Sequence, residues 1–84
     1  MMSLKRGDIV KSFDFPGNTD CYMVGKVESV SQQFGDFRAK FIKRVWLGDV
    51  DRKFKTDYFS APLQGNSFGD EKFQRVVVIG EVLQ

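Results

Sequence analysis

The chain has 84 residues, enough for one domain over 1–84, with 13 Lys and Arg against 11 Asp and Glu, 42% hydrophobic and 29% charged residues. These are the values of a folded globular domain, not of a disordered tail. There is no His and a single Cys, which removes His-dependent triads, most general-base mechanisms, a Cys/His zinc site and an internal disulfide. A chain that is not an enzyme, with no cofactor and no metal, is therefore expected.

Nine Phe residues supply much of the apolar area of a small core. Met1-Met2-Ser3-Leu4-Lys5-Arg6 reaches Gly7 too soon for a membrane span or a signal peptide, so a reducing cytoplasmic location is expected. Charge is segregated along the chain. Arg38, Lys40, Lys43, Arg44, Arg52, Lys53 and Lys55 face only Asp49 and Asp51 in the same segment, a local net charge of +5 within a total of +2. Such a segment suits an anionic partner, although a water-exposed strand is often basic for solubility alone.

Gly7 to Phe13 reads as a first short strand. Asp14 to Asp20, with Pro16-Gly17-Asn18, reads as a loop, because Pro fixes its own φ while Gly and Asn tolerate positive φ. Phe13 and Phe15 flank that loop and are expected to pin it. Asp20 to Ser31 reads as the second strand. Its register is open, since Val24 and Val30 share one parity and Met23 and Val27 the other. Gly25 signals a bulge or a close backbone approach, and Cys21 a small core residue. Ser31 to Asp36 reads as a short hairpin connection.

The third strand, Phe37 to Leu47, has the clearest alternation. Phe37, Ala39, Phe41, Val45 and Leu47 fall on one side, with Lys43 the only charge among them. Arg38, Lys40, Ile42, Arg44 and Trp46 fall on the other. Gly48-Asp49 suits a two-residue type II′ turn with Gly at the first central position. That turn sets Leu47 opposite Val50, Trp46 opposite Asp51, Val45 opposite Arg52 and Arg44 opposite Lys53, and carries a fourth strand to Lys55. The Arg44–Lys53 pairing places like charges together, which is unfavourable unless an anion or Asp51 offsets it.

Thr56 to Leu63 leaves the fourth strand. Pro62 argues against a central strand, and a short 3₁₀ turn is expected before the last strand. Gln64 to Asp70 reads as a loop whose Phe68 either plugs the fold or contacts a partner. Gln74 to Val82 reads as the last strand. Its run Val76-Val77-Val78-Ile79 demands cover on both faces, by the barrel on one and by a loop, the N-terminus or another subunit on the other. A homo-oligomer through Val76–Ile79 is one way to supply it.

This order of strands resembles the SH3-like small barrel. Arg6-Gly7-Asp8-Ile9-Val10, followed by Tyr22-Met23-Val24-Gly25-Lys26-Val27, is similar to the opening of the KOW and Tudor-like modules and of the photosystem I reaction-centre subunit IV family. The resemblance implies an all-β, five- to six-stranded antiparallel barrel and a binding function. The residues themselves nominate Arg38, Lys40, Arg44, Lys53 and Lys55 for phosphate contact and Trp46 for base stacking. Tyr22 and Tyr58 would extend the aromatic surface. A nucleic-acid-binding module is the first expectation, and docking onto an acidic protein surface the second; neither involves a membrane.

Overall fold

The computed structural model describes residues 4–15, 18–63 and 75–81. The fold is all-β: β1 (Asp8–Phe15), β2 (Asn18–Ser31), β3 (Asp36–Trp46), β4 (Asp49–Val50), β5 (Tyr58–Pro62) and β6 (Val76–Glu81). They form one antiparallel sheet in the order β4-β3-β2-β1-β6, with β5 also paired to β3. Among the described residues the sheet is not closed into the expected barrel. Phe68 and residues 16–17 of the expected first loop lie outside the described residues.

Alternation builds the core. Val10 on β1, Val27 on β2, Phe37 and Ala39 on β3, Phe59 and Ala61 on β5 and Val76 on β6 are all buried and pack together with Leu4. Phe37 and Phe59 meet edge to face at 6.1 Å between ring centroids, a favoured aromatic geometry. Burying such side chains stabilises by about 1.5–3 kcal/mol each. The N-terminal end is fastened by Asp8, whose carboxylate accepts the Lys5 backbone N–H at 3.0 Å.

Two bulges re-aim the long strands. Between the pairs Val24–Lys43 and Gly25–Phe41, Ile42 is the extra residue of β3. Between Val27–Ala39 and Ser29–Arg38, Glu28 is the extra residue of β2. A bulge shifts the parity of its strand by one residue, so residues beyond it exchange faces. Lys43 therefore leaves the core side to which strict alternation assigned it. Gly25 answers its open reading: it sits at the bulge and lets β2 and β3 approach closely.

The third-strand turn differs from the expected one. Its central residues are Leu47 and Gly48, both at positive φ (51° and 87°), which is the type I′ pattern. Trp46 pairs with Asp49 and Val45 with Val50. Arg44 then meets Asp51, not Lys53: the Asp51 N–H donates to the Arg44 carbonyl at 2.8 Å, and the side chains form an ion pair at 3.8 Å. The adopted register thus replaces a like-charge pair with an unlike one. The turn is also tied to β2, the Gly48 N–H donating to the Asp20 carbonyl at 3.1 Å and the Leu47 N–H to Cys21 Sγ at 3.5 Å.

The fourth strand stops after two residues. The Asp51 carboxylate accepts the N–H groups of Lys53 (3.1 Å) and Phe54 (3.2 Å). This side-chain turn competes with continued ladder pairing. Residues 58–62, where a 3₁₀ turn was expected, instead form β5 against β3, with Pro62 as its last residue opposite Asp36. An end position on an outer strand is where Pro is tolerated. The last strand is also barer than its sequence demands: Val76 is buried, but Val78 and Ile79 are 38% and 49% exposed.

Candidate functional site

The bulges sort the basic residues onto two different surfaces. Cross-strand partners share a face, and β2 alternates without interruption from Tyr22 to Val27. Lys26, Val24 and Tyr22 therefore share one face, and Val27, Gly25 and Met23 the other. Lys40 pairs with Lys26, whereas Arg44 pairs with Met23. Arg38 and Lys40 thus stand on the face opposite Arg44 and Trp46. The single basic, Trp-edged strand face expected from alternation does not form.

The first surface crosses four strands. One row runs Ile9, Lys26, Lys40, Tyr58, and the next Ser29, Arg38, Ser60. The Arg38 guanidinium lies over the Tyr58 ring at 4.5 Å from its centroid, a cation–π distance. Both side chains are exposed. Arg6, Glu28, Ser29, Arg38 and Tyr58 line a depression of about 390 Å³ beside them. Beyond the Ile42 bulge the same face continues with Lys11, Val24 and Lys43, then Phe13, Tyr22, Val45 and Val50. Lys11 Nζ sits 4.6 Å from the Tyr22 ring centroid. Val24 and Val45 are buried there.

Of the nominated residues, this face gathers Arg38, Lys40, Tyr58 and Tyr22. It adds Lys26, Lys11, Lys43 and, at its rim, Arg6, which the sequence did not nominate. Lys43 had left a trace: it was the one charge in an apolar parity, the mark of a bulge between Phe41 and Val45. Lys26 and Lys11 had none, because nothing in the sequence says which strands lie beside β3.

The second surface is aromatic. Asp14, Phe15, Met23, Arg44, Trp46 and Phe54 line a pocket of about 410 Å³. The Arg44 guanidinium stacks on Trp46 at 4.8 Å and on Phe54 at 4.9 Å, and Phe15 meets Trp46 edge to face at 5.9 Å. Arg44 is thus held by two rings and by Asp51, a structural role that leaves its charge largely engaged. Burial raises the Asp14 carboxyl above the ordinary carboxylate range, and the nearby Arg44 and Arg75 charges partly restrain that rise.

Lys53 and Lys55 belong to neither face. Both are exposed in the segment between β4 and β5, and Lys55 lines a separate pocket with Phe41, Thr56 and Asp57. Among the described residues no cluster of His, Cys, Asp and Glu could hold a metal ion, and no helix is long and apolar enough to cross a membrane. No family model matches the chain, and neither does any curated protein or solved structure.

Proposed function

We propose that the chain is a non-enzymatic binding module for nucleic acid, working through the face that carries Arg38, Lys40, Lys26 and Tyr58. The observation that carries this reading is the exposed Arg38–Tyr58 stack beside the Lys26–Lys40 cross-strand pair. Cations neutralise phosphates and release counterions, while an exposed ring on a sheet accepts an unpaired base. Lys11 and Lys43 extend the track for the strand backbone. A shared ancestry with SH3-like small modules is part of the proposal, supported by the all-β strand succession alone.

The test is binding of a fluorescent single-stranded oligonucleotide at several salt concentrations. Charge reversal at Arg38 and Lys40 should abolish binding, while reversal at Arg44 and Lys53 should leave it nearly intact. Tyr58→Ala should weaken single-strand binding about 5- to 150-fold, the equivalent of one lost stacking contact of about 1–3 kcal/mol. Unchanged binding by the Arg38 and Lys40 reversals would remove the proposal. An acidic protein surface is the second reading, favoured if no oligonucleotide binds but an acidic polypeptide does so with the same dependence on Arg38 and Lys40.

A further inference from the structure

We propose that the depression beside Arg38 and Tyr58 is a single-base pocket selective for an unpaired guanine, with Glu28 as the residue that distinguishes it. This selectivity rests on the nucleic-acid reading of that face. Arg6, Glu28, Ser29, Arg38 and Tyr58 line the depression, whose volume of about 390 Å³ falls among those of small-ligand sites. The Arg38 guanidinium over the exposed Tyr58 ring supplies its stacking surface. Unpaired bases stack both on aromatic rings and on guanidinium planes.

The β2 bulge brings Glu28 to this place. Val27 is buried in the core, so the next residue emerges on the basic face. Ser29 pairs with Arg38 and therefore shares that face. Two successive side chains of one strand on the same face require the extra residue of a bulge, which re-aims side chains in this way. Glu28 is half-buried and is the one acid among the described residues that line the depression. Among the described residues it forms no ion pair. A carboxylate on a phosphate-binding face repels the nucleic-acid backbone. It suits instead the part of a nucleotide that offers hydrogen-bond donors, which is the base.

The pattern of donors selects which base. An ionised carboxylate only accepts, through two neighbouring oxygens. Guanine alone presents two neighbouring donor groups, N1–H and the N2 amino group, on its Watson–Crick edge. Uracil and thymine present one N–H between two carbonyls. Adenine and cytosine present one amino group beside a ring-nitrogen acceptor, which a carboxylate repels. Guanine also carries the O6 and N7 acceptors that an arginine fork matches, and Arg6 is exposed at the same depression. An acid, a free arginine and a stacking ring in one depression are together complementary to guanine and to no other common base.

Fluorescence anisotropy on the full chain tests the selectivity. The probes are a short labelled oligouridylate and oligothymidylate with one internal guanine, and the same strands with adenine, cytosine or inosine at that position. Guanine should bind about 5- to 150-fold more tightly than adenine or cytosine, the worth of one bidentate base contact. Inosine, which keeps N1–H and O6 but lacks the N2 amino group, should fall between them; that comparison needs no variant. Glu28→Gln, checked for folding by circular dichroism, should erase the guanine advantage and bind the plain tract at least as well, because a negative charge is gone. A carboxylate that only tuned the charge of the face would leave the guanine ratio unchanged in Glu28→Gln, and that result overturns the proposal. Binding that depends on Arg38 and Lys40 but ignores the base overturns the selectivity and leaves the binding function standing. Failure of every strand to bind overturns both.

Discussion

Gly25→Ala offers the most direct test of how the sheet is packed beneath the basic face. Gly25 opposes Phe41 next to the β3 bulge. A Cβ there would lie 2.5 Å from Phe59 Cε1, 2.8 Å from the Lys40 carbonyl oxygen and 2.9 Å from Ala39 Cβ. The oxygen belongs to the β3 backbone, and the Phe59 ring is buried edge-on against Phe37. Neither can retreat without moving its neighbours, so the cost belongs at the top of the overpacking range, about 3 kcal/mol. The reduced freedom of Ala in the unfolded chain returns about 0.4–1 kcal/mol. A net loss of about 2 kcal/mol corresponds to a melting temperature lower by about 8–16 °C for a domain of this size.

The assay is thermal and urea unfolding followed by Trp46 fluorescence. Gly80→Ala is the internal comparison, because a Cβ there would meet only Ile9, at 3.8 Å and 3.9 Å. That variant should stay within about 0.5 kcal/mol of the unmodified chain. If the two alanine variants melt together, the close approach of β2 to β3 is wrong, and with it the register that aligns Lys26 with Lys40.

Leu47→Asn should stabilise the chain by about 1 kcal/mol, since Leu47 holds a positive φ and is 67% exposed, and Asn-Gly is the pair a type I′ turn favours. An unchanged urea midpoint would argue for the type II′ turn instead. Asp14 makes stability depend on pH. Its folded pKa is raised, so its favourable contribution is fully present below the unfolded pKa and is lost as pH rises through the folded value. Asp14→Asn should therefore gain on the unmodified chain as pH rises above the ordinary carboxylate range, and a gap in urea midpoint that ignores pH would contradict this.

Much of the fold was legible along the chain because strand burial has a period of two. Phe37 and Ala39 turned inward with Phe41 packed against them as their spacing required, whereas Val45, beyond the bulge, is buried on the other face; β1, β2, β3 and β6 lie close to where apolar runs and Gly or Asp punctuation set them. Local chemistry was less decisive at the turns. Gly48 announces a tight hairpin, but it fits either the first central position of one turn type or the second of another. The choice was made at a distance, by the Asp20 carbonyl, Cys21 and the unlike pair Arg44–Asp51. Asp51 then ended β4 early and freed residues 58–62 to pair with β3.

The composition of the candidate surface depended on tertiary structure in the same way. Alternation within β3 placed Arg38, Lys40, Arg44 and Trp46 together, and it would have been right for an unbroken strand. One inserted residue, Ile42, reverses the parity beyond it, so Arg44 and Trp46 pass to the aromatic pocket while Lys43 crosses to Arg38 and Lys40. A sequence read along one strand carries the period of that strand. Which residues of β2 and β5 lie beside it, and where a bulge must relieve the ladder, is decided by the packing of Gly25 against Phe59 and Ala39. Lys26 and Tyr58 therefore join Arg38 and Lys40 only when the sheet is assembled.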